Sequence, residues 1–105
     1  MTEFIFKNFS KGFLIQDLSS SGLTAYVDVI ESGTFAQPTG SQVQRCVIED
    51  DSQEPEIVDV TTNAFTGALT LNRALEGTAA KEWPSGARIS AYISAGVLAE
   101  LEALK

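Results

Sequence analysis

From Leu23 to Glu31 the apolar residues fall at every second position. Leu23, Ala25, Val27 and Val29 lie on one side, Thr24, Tyr26 and Asp28 on the other, and Ile30 breaks the phase. Side chains alternate across a strand with period two and repeat every 3.6 residues in a helix, so this run predicts a half-buried β-strand. Four more strand-like runs follow: Gln42 to Glu49, Glu56 to Thr62, Ala68 to Arg73, and Arg88 to Ser94 with Ile89, Ala91 and Ile93 inward. Turn signals separate them, among them Ser19-Ser20-Ser21-Gly22 and Thr66-Gly67. The loop from Ser32 to Gly40 carries Phe35, expected to plug the core edge. This pattern predicts a mainly β fold, a small antiparallel sandwich or barrel of about five to seven strands.

The segment Phe4-Ile5-Phe6-Lys7-Asn8-Phe9-Ser10 is apolar on both faces of any strand, and Phe13-Leu14-Ile15 adds three more apolar residues. Either it folds back as core or another subunit covers it. Phe4, Phe6, Phe9 and Phe13 are therefore candidate subunit contacts. At the other end the period changes: Val97, Leu98, Leu101 and Leu104 recur at helical spacing, with Ser94 placed to cap. A helix this short is marginal alone, so it needs the sheet or the same helix of a neighbour to pack against. Leu98, Leu101 and Leu104 join the candidate contacts. The expected organisation is one assembly domain over 1–105, with an apolar arm at 1–20, a β core at 23–94 and a C-terminal helix at 95–105.

The 105 residues suit one domain with a modest core, and the 44 % hydrophobic content argues against wholesale disorder. A net charge of −7 disfavours binding to phosphate backbones, so no nucleic-acid partner is expected. No apolar run approaches the ~20 residues that span a bilayer, and no membrane partner is expected. Glu3 and Lys7 interrupt what a secretion signal would need, which predicts synthesis and folding in a cytoplasm.

Chemistry is sparse. The chain holds no histidine, which excludes Ser-His and Cys-His catalysis and His-ligated metals. Cys46 lies in a strand-like run and is expected to be a buried, inert thiol. Glu49, Asp50, Asp51, Glu54 and Glu56 cluster oxygens that a calcium ion could use. Ser52 and Gln53 break the calcium-loop spacing and no glycine supplies its sharp turn, so the cluster is expected to be a solvated hairpin tip. A glycosidase would need two acids facing each other across a cleft, and the acids here fall in loops and at strand ends. No catalytic residue, cofactor or metal is expected.

The connection from Leu71 to Ile89 is the most distinctive stretch. Gly77 and Gly86 mark positions where the backbone needs positive φ, Trp83 offers a ring to cover the end of a small β-core, and Pro84 stiffens the chain behind it. Arg73 and Glu76 are close enough to pair across the bend. Trp83 and Tyr92 could instead serve as stacking platforms in a carbohydrate-binding module, with Trp83 as core plug the stronger reading.

The pattern Arg73-x-x-Glu76-Gly77-Thr78, an Ala-containing step, then Trp83-x-x-Gly86 and an apolar strand resembles a signature of tailed-bacteriophage virion proteins. Phe6-Lys7-Asn8-Phe9-Ser10, Leu23-Thr24-Ala25-Tyr26-Val27, Ser32-Gly33-Thr34-Phe35, Glu56-Ile57-Val58-Asp59-Val60-Thr61 and Ser94-Ala95-Gly96-Val97-Leu98 are similar to further pieces of that family, in the same order. Two steps depart from it. Ala74-Leu75 stands where the family more often has Gly-Gln, and Ala79-Ala80-Lys81-Glu82 carries charge in a usually Ala-rich step. The resemblance implies a β-rich, trimeric, non-enzymatic virion module made in the host bacterial cytoplasm, whose partners are itself and other tail, fibre or capsid proteins. The family's fibre-anchoring members favour a tail-side adaptor (fibre, baseplate or neck). Small size and acidity favour the alternative, a capsid decoration (cement) protein. With Lys105 as the last residue, no fibre shaft or receptor-binding tip is expected.

Overall fold

The computed structural model of the protein describes residues 3–7 and 9–93. It is mainly β: β1 (Glu3–Phe4), β2 (Lys11–Phe13), β3 (Thr24–Tyr26), a single helical turn α1 (Val29–Ser32), β4 (Gln42–Asp50), β5 (Gln53–Asn63), β6 (Ala68–Leu75) and β7 (Arg88–Ala91). Six strands form an antiparallel path in the order β2-β7-β4-β5-β6-β3, and β1 adds to β4 in parallel. The two ends of the path meet. Leu14 bridges Val27, and the Ile15 N–H donates to the Tyr26 carbonyl at 2.9 Å, so the sheet curls back on itself toward a barrel.

One parity rule explains the core. Gln44, Cys46 and Ile48 of β4, Val58 and Val60 of β5, Leu69 and Leu71 of β6, and Ile89 of β7 all face inward and are buried. Phe35, Leu14, Leu18, Ala25, Val27 and Trp83 belong to the same buried cluster. Fully burying a large apolar side chain contributes about 1.5–3 kcal/mol against leaving it in water, so this set is the main source of stability. The ends of the barrel differ in character. The end where β4 starts and β5 and β7 finish exposes Phe6, Phe9, Phe65, Tyr92 and Ile93. At the opposite end lies the β4–β5 tip, where Asp50 Oδ1 accepts the Ser52 N–H at 2.8 Å and closes the turn.

Several expectations need correcting. The strand expected over Leu23 to Glu31 covers only Thr24–Tyr26, because Asp28 accepts the Ile30 N–H at 2.9 Å and caps a helical turn. Leu23 and Val29 are consequently 61 % and 59 % exposed, not inward. The last strand stops at Ala91, which leaves Ala91 and Ile93 on the surface and only Ile89 inside. The N-terminal segment supplies two strands and the buried Leu14 and Leu18, while Phe6 and Phe9 stay exposed. The helix expected at 95–105, with Leu98, Leu101 and Leu104, falls outside the described residues.

Candidate functional site

Glu56 is the only carboxylate of the β4–β5 acidic run that faces inward, in phase with Val58 and Val60; it is fully buried rather than part of a solvated tip. Arg73 faces inward in phase with Leu69 and Leu71. A register shift between Ile57 and Asp59 sets the two side chains against each other. Arg73 grips the carboxylate with both arms of its guanidinium, Nη2 to Oε1 at 2.8 Å and Nε to Oε2 at 2.9 Å. Two backbone N–H groups complete the oxygens, Lys81 at 3.0 Å and Ala74 at 3.2 Å. The Trp83 indole N–H donates to Oε1 at 2.9 Å.

The rest of the guanidinium is equally engaged. Arg73 Nη1 donates to the carbonyls of Ser19 and Gly22, and Nη2 to that of Lys81. One buried ion pair thus ties β5 and β6 to the 19–22 turn and to the loop before Trp83. Trp83 itself exchanges two backbone hydrogen bonds with Leu18, each at 2.8 Å. Burial by itself would raise the Glu56 pKa; the hydrogen bonds from Arg73, Trp83 and Lys81, with the Arg73 charge, outweigh it and hold the carboxyl below its ordinary range. A carboxylate so enclosed has no access to a substrate. Its chemistry is to lock four segments together.

The sequence pairing of Arg73 with Glu76 is corrected: Arg73 takes Glu56, and Glu76 takes Arg45. Arg45 also binds Asp59 through Nε at 2.5 Å and lies over the Phe4 ring at 4.9 Å. Burial works against its charge, yet Asp59 and Glu76 raise its pKa. Thr78 fastens the turn, with Oγ1 donating to the Leu75 carbonyl at 2.7 Å and accepting the Ile57 N–H at 3.1 Å. Gly77 and Gly86 both have positive φ, 82° and 98°. Ala74 and Glu76 have it too, at 57° and 53°, where the chain bends out of the sheet.

Elsewhere the surface carries open recesses, one of about 500 Å³ lined by Phe13, Glu49, Asp50, Asp51, Gly86 and Arg88. The expected subunit contacts Phe6, Phe9 and Phe13 are 52 %, 94 % and 44 % exposed, and Phe4 is half-buried beneath Arg45. Phe6, Phe9, Tyr92 and Ile93 rim a recess of about 200 Å³ whose floor includes Gln44 and Arg45. Cys46 is buried and its thiol pKa is pushed up, chiefly by burial. Among the described residues no cluster of His, Cys, Asp or Glu is arranged to hold a metal ion. Trp83, with no exposed surface, cannot act as a sugar-stacking platform; Tyr92 is 43 % exposed.

Sequence reasoning identified Arg73 and Trp83 but missed Glu56 and Arg45. The signal for Glu56 was present in its phase with Val58 and Val60; five acids in one run masked it. Comparison with protein-family models and with curated proteins gave no match.

Proposed function

We propose that this protein is a non-enzymatic structural component of a tailed-bacteriophage virion, one that self-associates and docks on the particle as a tail-side adaptor. The observation that carries the reading is the fate of the signature residues. Arg73, Thr78 and Trp83 are engaged in buried or half-buried hydrogen bonds that hold a loop to a β-core. A motif used in this way defines a scaffold rather than a reaction, which suits the virion modules it resembles. The exposed Phe6, Phe9, Phe65, Tyr92 and Ile93 at one end give such a scaffold an apolar surface for assembly. The resemblance also suggests a trimer.

Capsid decoration is the alternative, favoured by the net charge of −7 and the small size of the chain. Mass spectrometry of gradient-purified particles tests the proposal. Recovery of the protein at a fixed multiple per particle, in the tail fraction after heads and tails are separated, is the expected result. Recovery in the head fraction would transfer the assignment to decoration. A protein found in the lysate and never in particles would overturn both.

A further inference from the structure

We propose that the N-terminal arm, Glu3 to Lys7, is an exchangeable strand that docks on β4 of a second copy of this chain. This names the surface for the self-association proposed above and rests on that reading. Among the described residues the arm is the one parallel element in an otherwise antiparallel sheet, and its strand has two register pairs, Glu3 with Gln42 and Phe4 with Val43. It is held by the Glu3 N–H on the Ser41 carbonyl at 3.1 Å and the Ile5 N–H on the Val43 carbonyl at 2.8 Å. Phe4 lies beneath Arg45, and Lys7 Nζ donates to the Gly33 carbonyl at 2.8 Å. Apart from the Ser10 hydroxyl, which donates to the Lys7 carbonyl at 3.0 Å beside the hinge, these partners all come from residue 33 onward, so an arm arriving from another copy makes the same contacts on the same seat.

What exchange changes is the hinge. Phe9 sits at φ 64°, a conformation that is a strained outlier for a bulky side chain. Its ring is 94 % exposed, so no burial offsets the strain. An arm leading to a neighbour lets Phe9 return to an extended backbone, and short strained hinges favour swapping for this reason. The recess rimmed by Phe6, Phe9, Tyr92 and Ile93 surrounds the hinge, so the copy that receives the arm also covers this patch. The seat that fits this arm is the edge of β4, and it belongs to the same sequence.

The test uses two single-cysteine chains, Glu3→Cys and Gln42→Cys, one carrying a longer tag. Register partners on adjacent strands lie within the span of a disulfide, and the native Cys46 is buried. The full-length chains are co-refolded, oxidised, sized by light scattering and run on a non-reducing gel. A disulfide joining the two different chains, formed well in excess of either like-with-like disulfide and of a control pair with the second cysteine moved out of register to Glu54, is the expected product of exchange. An oligomer in which the Glu3→Cys/Gln42→Cys double variant closes only within one chain would overturn exchange and leave self-association standing. A monomer would overturn both. Phe9→Gly relieves the hinge strain and Phe9→Ala removes the same ring while keeping the strain; a cross-linked fraction several-fold lower in Phe9→Gly than in Phe9→Ala is expected, and equal fractions would overturn the hinge argument.

Discussion

Replacing Glu56 by glutamine tests the lock at its centre with almost no change of volume. The wild-type carboxylate accepts five hydrogen bonds, from Arg73 twice and from Ala74, Lys81 and Trp83. An amide offers one oxygen and one NH2, so whichever way the new side chain turns, two or three of these donors face another donor. The Arg73 guanidinium also loses its counter-charge while remaining buried. Removing one partner of a buried pair costs about 3–5 kcal/mol, because the other charge is left uncompensated. Domains of this kind are stable by only about 5–15 kcal/mol, so E56Q is expected to be close to unfolding at moderate temperature. The melting temperature should fall by roughly 12–20 °C.

Urea unfolding followed by fluorescence is the suitable assay, since the single tryptophan is the buried Trp83 whose indole bonds Glu56. With a slope of about 1.5 kcal/mol per molar, the midpoint should drop by about 2–3 M. A loss below about 1 kcal/mol would refute the claim that Glu56 is the keystone of this corner. The pH dependence gives a second check. The folded-state pKa of Glu56 is depressed below 4.5, so its contribution is present in full above that pH and is lost as pH falls through the lower folded value. Wild type should therefore weaken below about pH 4.5, whereas E56Q should show a flatter profile there.

Trp83→Ala should cost about 3–5 kcal/mol, as deletion of a fully buried large aromatic does, and Trp83→Phe about 1.5–3 kcal/mol from the lost bond to a charged acceptor; equal denaturation midpoints for wild type and W83A would contradict the core placement. Ala74→Gly should stabilise by about 0.5–1 kcal/mol, since relief of left-handed strain, about 1–2 kcal/mol, exceeds the extra chain entropy glycine brings to the unfolded state; a destabilised A74G in the same assay would count against that balance. Cys46 should be silent to thiol reagents in the native protein and titrate to one equivalent in denaturant, as a buried, high-pKa thiol requires; full labelling of folded protein would refute it.

The parts of this fold that could be read from sequence are those where one local rule operates. Apolar runs between turn signals marked β4, β5 and β6 closely, because both neighbours of each strand are present and its central residues are buried. Period two failed at Val29, where Asp28 turns the chain into a helical cap and local hydrogen bonding overrides alternation. It failed at Ile93 for a different reason: β7 runs out of pairing at Ala91. The candidate site was half legible. Arg73 and Trp83 stand out as unusual residues in an apolar frame, but their partner lies 17 positions from one and 27 from the other. Only the β5–β6 register and its bulge bring Glu56 between them. Arg45 was not legible at all, because its partners Asp59 and Glu76 belong to two other segments.

The most direct measurement is gold-conjugated antibody labelling of intact particles, read by electron microscopy. Label confined to the neck or tail is the predicted result and would direct attention to the fibre that the adaptor holds. Label spread over the head would contradict the tail assignment in favour of decoration, and particles free of label after mild opening of the virion would contradict a virion role.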